Sequence, residues 1–202
     1  PDAPQLGESL EVTVTSDDGQ PANQRVIFNR AVAASQAFQR KFPEVDALIG
    51  ANKHLSIDDW PDAPRRWLEN GLLGRLTGFI DRALDANWAL DVAIYEYELP
   101  VIVDAVTAAH ARGAQVRVLY HAEPGDDTTA RNEASLEKMP AANKRGRVTH
   151  NIFHNKFIVL SKVEGSGSRQ PEAVLCGSTN FTANGVYRQA NVVHVLDDPR
   201  VS

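Results

Sequence analysis

A histidine and a lysine, His154 and Lys156, stand two residues apart in the segment NIFHNKFIVL, in front of an apolar run. In a β-strand, side chains two residues apart point to the same side of the sheet. The two groups would then project side by side, while Phe153, Phe157 and Val159 would serve the other side. Two neighbouring ionisable groups on a strand are either incidental surface charge or a site.

The segment CGSTNFTANG follows an apolar run and carries hydroxyl and amide groups where a strand should end. Lys156 supplies positive charge, while Ser178 and Asn180 supply directional hydrogen bonds, which is the combination that holds a phosphate. If two adjacent strands bring these side chains to His154, the sequence predicts a phosphate-binding site.

The elements that must position these groups form a strand–helix–strand pattern. Residues 90–97 (LDVAIYEY) and 115–122 (QVRVLYHA) have the composition of strands, and residues 99–114 have that of a helix with Gly113 at its C-cap. Three further apolar runs predict more strands: RVTHNIF-HNKFIVL, AVLCGS and NVVHVL. The prediction is an α/β domain with a mixed β-sheet flanked by helices.

We expect an N-terminal region over residues 1–65 and one copy of the main domain over residues 66–202. Within the first, LEVTVT is predicted as a strand, the segment containing Val32, Ala33, Ala37 and Phe38 as an amphipathic helix, and residues 44–65 as a connector. Apolar residues from Trp67 to Leu84 recur at helical spacing, and residues 123–144 are predicted as a loop.

Composition excludes several classes of protein. The 202 residues carry a net charge of −5, which argues against a strongly basic nucleic-acid coat, and a lone cysteine excludes an internal disulfide and a cysteine-based zinc cluster. No apolar run approaches the roughly 18 residues of a membrane span, so we expect a cytoplasmic protein without stable membrane insertion. The chain begins with Pro1 and stops at a predicted strand end, so we expect a piece of a longer protein.

The order HNK, then GSTN, resembles the phospholipase D superfamily, whose pattern is His-x-Lys-x4-Asp followed by Gly-Ser-x-Asn. The segment LPVIVDAVTAAHARGAQVRVLY is also similar to that family, so the resemblance covers roughly residues 70–200. It implies a phosphodiesterase that needs no metal or cofactor. His154 would attack phosphorus to give a phosphohistidine, and Lys156 and Asn180 would hold the negative oxygens.

The resemblance also implies a second histidine from a second motif copy, which protonates the leaving oxygen. We expect that copy in a homodimer mate or in a missing C-terminal half. We further assign substrate-binding roles to Ser178, Thr179, Asn191 and Gln189. The sequence departs from the family pattern at Ser161, where the family has its aspartate, and at Asn191, where many members have an acidic residue.

Several alternatives stay open. For an active enzyme, a nucleic-acid substrate is slightly preferred over a phospholipid head group. The alternative to an enzyme is a degenerate half that binds phosphate or dimerises without turnover. His150 and His154 share a face of a strand and are compatible with a metal site. The charge run Lys144, Arg145 and Arg147 is either solvated or contacts a phosphate backbone. Glu96 and Glu98 either support His154 or are exposed edge residues.

Overall fold

The computed structural model describes residues 14–15, 21–30, 35–52, 55–148 and 152–201. They form an eight-stranded sheet with the order β1-β2-β8-β7-β6-β3-β4-β5. The strands are β1 Val14–Thr15, β2 Pro21–Phe28, β3 Trp88–Ile94, β4 Gln115–His121, β5 Lys144–Arg147, β6 Lys156–Val163, β7 Arg169–Gly177 and β8 Val192–Asp197.

Within the described residues, seven α-helices accompany the sheet. They are α1 Gln36–Lys41, α2 Pro43–Ala51, α3 Asp62–Glu69, α4 Leu72–Ile80, α5 Pro100–Ala111, α6 Asp127–Ser135 and α7 Ala183–Tyr187. Short 3-10 helices lie at Ile57–Asp59, Ala141–Asn143 and Pro199–Val201. Among the described residues, none of these helices combines the length and the hydropathy needed to cross a lipid bilayer.

The sheet is mixed, as predicted. Strand β4 runs parallel to both of its neighbours, β3 and β5. The pairs β3–β6, β6–β7 and β7–β8 are antiparallel. The predicted strand–helix–strand unit is confirmed as β3, α5 and β4, and Gly113 follows the helix with φ +97°. Only glycine adopts that backbone angle at low cost, which explains its place at the helix end.

The hydrophobic core lies on one side of the sheet. Alternate residues of the central strands join it, among them Leu90, Val92, Ile158 and Leu160, and the register pairs Leu90 with Leu160 and Val92 with Ile158. The helices contribute to the same cluster with residues such as Leu76, Ile102 and Val186. One side of the sheet is therefore covered by helices.

The other side of the sheet is only partly covered. Leu119, Phe157 and Val159 point there and are half-buried, and a groove of about 450 Å³ lined by Leu119 and Phe157 opens on it. Asp91, on the same side, forms ion pairs with Arg117 and Arg169 at 2.5 and 2.7 Å. This surface mixes apolar side chains with an ion-pair cluster.

The helix predicted from Trp67 to Leu84 is two helices. Asn70 ends α3 in the left-handed conformation with φ 51°, and Gly71 follows with φ 81°, so the chain turns between α3 and α4. Helix α4 ends at Ile80, and Leu84 is 63% exposed. The apolar spacing continued across the turn because both helices face the same core.

Two predicted irregular segments contain helices. The connector holds α2, in which Val45 is the buried residue, and the predicted loop holds α6, whose buried residues are Thr128 and Asn132. Helix α6 lacks the recurring apolar residues from which a helix is predicted, and the apolar spacing of α2 is confined to Val45, Leu48 and Ile49. A capping signal was present, since the carboxylate of Asp126 accepts a hydrogen bond from the Thr129 N–H at 2.9 Å.

The N-terminal predictions lie partly outside the described residues. Val32 and Ala33 of the predicted helix are outside them, whereas Phe38 is fully buried in α1. Of the predicted strand LEVTVT, only Val14 and Thr15 are described, as β1. Strand β2 pairs with β8, so residues before position 66 share the sheet with those after it, and the proposed domain boundary stays a prediction.

Candidate active site

The predicted site residues gather at one edge of the sheet. Strand directions place the carboxyl ends of β3, β4, β5 and β7 and the amino ends of β6 and β8 at this edge. His154 and Lys156 lie at the start of β6, and Asn180 lies just after β7. Functional groups commonly collect at the carboxyl ends of strands in such sheets.

His154 precedes its strand and does not belong to it. Strand β6 begins at Lys156, and residues 152–155 are irregular. Of the predicted run RVTHNIF, Arg147 is the last residue of β5, and residues 149–151 lie outside the described residues. The imidazole of His154 is exposed and packs edge-on to the ring of Tyr95, with 5.1 Å between ring centroids. Loss of hydration and the charge of Lys156 lower the pKa of His154, and Glu96 raises it. An imidazole with a lowered pKa is the neutral, nucleophilic form near pH 7.

Lys156 is a buried cation, with 7% of its surface exposed. Its Nζ donates a hydrogen bond to the His154 carbonyl oxygen at 3.3 Å and lies 5.4 Å from the centre of the Tyr95 ring. Burial lowers the pKa of Lys156, and Glu96 raises it. An ammonium group has three donors, so Lys156 keeps donors for an anion beside His154.

Asn180 reaches the site across the start of β6. Its Nδ2 donates a short hydrogen bond to the carboxylate of Glu96, which follows β3. The backbones of the two segments also meet, because the Phe181 N–H donates to the Glu96 carbonyl oxygen at 3.0 Å. The structure therefore joins the segments after β3 and β7 around the end of β6 that carries Lys156.

Two of the predicted substrate-binding residues bond to each other. The hydroxyl of Ser178 donates to Oδ1 of Asn191 at 2.8 Å, and Nδ2 of Asn191 donates to the Gly185 carbonyl oxygen at 2.8 Å. Ser178 is exposed and Asn191 is half-buried. In this arrangement Asn191 positions Ser178 instead of meeting an imidazole.

The other two predicted substrate-binding residues have different surroundings. Thr179 is 1% exposed, and its hydroxyl donates to the Val192 carbonyl oxygen at 3.3 Å. Gln189 is exposed between α7 and β8, and its backbone N–H donates to the Asn184 carbonyl oxygen at 2.9 Å. No described contact joins either side chain to His154 or Lys156. Their substrate-binding roles stay predictions.

Gly177 allows β7 and β8 to approach closely beside the site. A Cβ atom at this position would lie 2.1 Å from the Val192 carbonyl oxygen. Any side chain would therefore push the strands apart where Ser178 begins. The glycine of the GSTN segment is a packing requirement, whatever chemistry the segment performs.

Sequence reasoning missed the support of the segment that carries His154. The backbone N–H of Phe153 donates to Nδ1 of His121 at 3.3 Å, and Nε2 of His121 lies 3.6 Å from the Asp126 carboxylate. His121 is 2% exposed and contacts Tyr95, with 5.1 Å between ring centroids. His121, the buried last residue of β4, therefore anchors the residue before His154.

A family model described as "Cardiolipin synthase, PLD-like domain" matches residues 79–202, more than half of the chain. The chain belongs to the phospholipase D superfamily. The predicted membership is confirmed, and the sheet flanked by helices is the fold of that superfamily. Its members are phosphodiester hydrolases and transferases.

Two solved structures are similar to the chain. Nuc from Salmonella typhimurium, described as a phospholipase D family member, has 21% identity and a TM-score of 0.48, over 63% of this chain and 77% of that one. NucT from Helicobacter pylori has 19% identity and a TM-score of 0.49, over 66% and 81%. Comparison with curated proteins found no significant match.

Within this phospholipase D superfamily domain, Ser161 lies away from the site. It pairs with Ala89 in the sheet, five residues along β6 from Lys156, and is 2% exposed. Among the described residues, no group of three or more metal-ligating side chains occurs, and His150 lies outside those residues. The alternative of a metal site with His150 is therefore untested.

Proposed function

We propose that the chain cleaves phosphodiesters through a covalent phosphohistidine on His154. The observation that supports this best is a buried ammonium group, Lys156, beside an exposed imidazole whose pKa is lowered. The ammonium group would bind a non-bridging phosphate oxygen, and Asn180 would donate to another with the N–H that Glu96 leaves free.

The reaction proceeds in two displacements. A lone pair on an imidazole nitrogen of His154 forms the N–P bond, and the P–O bond to the leaving group breaks with its electrons on oxygen. A second histidine donates a proton to that oxygen. Water or an alcohol then attacks phosphorus and gives its proton to the second histidine, and the N–P bond breaks.

The second histidine comes from a second copy of the motif, in a homodimer mate or in a further part of the protein. The sequence contains a single HNK–GSTN pair. The sheet surface opposite the helices, with half-buried Leu119, Phe157 and Val159, offers apolar area for such a copy. Light scattering of the purified chain compares the particle mass with 22.1 kDa. Turnover by a strict monomer would contradict this requirement.

A nucleic-acid substrate is slightly favoured over a phospholipid. Arg145 and Arg147 are exposed on the edge strand β5, and Arg147 ends that strand beside the site edge, with its guanidinium 5.5 Å from the Phe153 ring centre. Repeated positive charge along a strand suits a polyanion, which binds through several phosphates at once.

The decisive experiment is adduct trapping. The chain is incubated with single-stranded DNA, RNA and phosphatidylcholine vesicles, with and without EDTA, and quenched for detection of acid-labile phosphohistidine. We expect an adduct and cleavage with a nucleic acid, insensitivity to EDTA, and loss of both in His154→Ala. His194→Ala, an imidazole on β8, is the matched control and should retain both.

Other outcomes have definite meanings. Cleavage abolished by EDTA would contradict the metal-independent mechanism. Cleavage of the phosphatidylcholine vesicles and of neither nucleic acid would show that the substrate is a phospholipid. A chain that forms no adduct with any of the three substrates, in its full oligomeric state, would be a phosphate-binding half without turnover.

A further inference from the structure

The two positions at which the family pattern has acidic residues supply no negative charge to the site. Ser161 is buried in the sheet away from His154. The side chain of Asn191 is neutral, and both its oxygen and its nitrogen are bonded, to Ser178 and Gly185. Positive charge that develops on His154 during attack would have no anionic partner from either position.

Glu96 brings a carboxylate to the same place from a different strand. It follows β3, and its carboxylate accepts the hydrogen bond from Nδ2 of Asn180. A carboxylate only accepts hydrogen bonds, so the amide must present its NH2 group to Glu96. The Phe181 N–H holds the Glu96 carbonyl oxygen at 3.0 Å, which fixes the backbone as well.

The charge of Glu96 acts on both members of the His154–Lys156 pair. It raises the pKa of His154 and of Lys156, against the burial that lowers both. Arg131 is the cation on the far side, with its guanidinium 4.0 Å from Glu96 and 2.8 Å from Glu98. Glu98 therefore has the same cationic neighbour, but no described contact with Asn180.

We propose that Glu96 is the positioning carboxylate of this site, orienting Asn180 and stabilising the positive charge that forms on His154 when it bonds to phosphorus. The proposal rests on the proposed function of His154 as the nucleophile. Glu96 transfers no proton and forms no bond to the substrate. When the N–P bond forms, the imidazole ring becomes cationic, and a nearby fixed negative charge lowers the barrier to that step.

The test compares Glu96→Gln with Glu98→Gln in the full chain. Glutamine at position 96 keeps an oxygen acceptor for Asn180 and removes only the charge. We expect the pKa of His154, followed by NMR of the imidazole protons, to fall in Glu96→Gln and to stay in Glu98→Gln. We also expect phosphohistidine to form roughly tenfold more slowly in Glu96→Gln alone, with substrate binding undiminished.

The outcomes separate the two proposals. An unchanged His154 pKa in Glu96→Gln would overturn the role of Glu96, as would equal effects of the two variants or weaker binding without slower adduct formation. If the wild-type chain forms no adduct, the proposed function fails, while the NMR titration still reports whether Glu96 controls the charge of His154. An unchanged midpoint of urea unfolding verifies that the Glu96→Gln protein is folded.

Discussion

The imidazole of His121 accepts a hydrogen bond from the backbone N–H of Phe153 at 3.3 Å, one residue before His154. A backbone N–H can only donate, so Nδ1 of His121 carries no proton and Nε2–H points towards Asp126. The last residue of one strand thus fixes the irregular segment that precedes another.

Replacing His121 by alanine should disorder the segment that carries His154. The variant leaves a cavity and an unsatisfied N–H, and we expect a loss of about 1–3 kcal/mol in the free energy of unfolding from the missing acceptor. Urea unfolding measures this loss, and adduct trapping should show slower phosphohistidine formation. His110→Ala is the control, because among the described residues the buried Nδ1 of His110 has no hydrogen-bond partner. Equal losses in both variants would contradict the anchoring role.

The rate of adduct formation should have a bell-shaped pH profile. His154 must be neutral to attack, and its pKa lies below the ordinary 6.5, so the rate should fall only as the pH drops below that value. Lys156 must be charged to bind phosphate, with a pKa below 10.5, and the second histidine must be protonated to donate to the leaving oxygen, so the alkaline fall should begin before pH 10.5. Single-turnover trapping across pH measures both limbs. An acidic midpoint above 6.5 would contradict the assignment of His154.

Lys156→Met should raise the stability of the protein and abolish its activity. Burying an ammonium group is costly, and among the described residues no carboxylate forms an ion pair with Lys156 at contact distance, although the charge of Glu96 acts on it. Methionine of similar length should therefore raise the free energy of unfolding by about 1 kcal/mol while abolishing adduct formation. Lys162→Met is the control, because Lys162 is exposed on the same strand and pairs with Glu172 at 3.3 Å. A large loss of stability in Lys156→Met would show that the ammonium group serves the fold.

Gly177→Ala should disrupt the junction of β7 and β8. Because the added Cβ would meet the Val192 carbonyl oxygen, we expect a loss of about 1–3 kcal/mol in unfolding free energy and a displaced Ser178. Gly165→Ala is the control, since no atom of the described residues beyond its chain neighbours lies within 4 Å of a Cβ there. Urea midpoints of the two variants compare these costs, and a neutral Gly177→Ala would contradict the close approach.

Arg145→Gln with Arg147→Gln should weaken binding of single-stranded DNA without changing the His154 adduct chemistry. Each lost phosphate contact should reduce the slope of log binding constant against log salt by about 1. Fluorescence anisotropy at several salt concentrations measures the slope. Arg75→Gln, on helix α4, is the control. An unchanged slope would remove the arginine pair from the substrate path.

The amino-acid sequence by itself determined the elements with strong periodicity. The apolar runs of β3, β4 and β7 and the helix α5 were visible because central strands and a buried helix face need many apolar residues in a row or at fixed spacing. The family was visible as well, because HNK and GSTN keep their order and distance. Helices α2 and α6 were not, since they bury few apolar residues.

Only the tertiary structure decided how the site is assembled. Glu96, Tyr95 and His121 carry no motif, and their approach to His154 depends on strand order and on the crossing of the segments after β3 and β7. Sequence placed His154 in a strand, whereas the fold leaves it in an exposed irregular segment and buries Lys156. Periodicity reports which face of an element is covered, but the meeting of distant strand ends depends on sheet order, which local patterns do not encode.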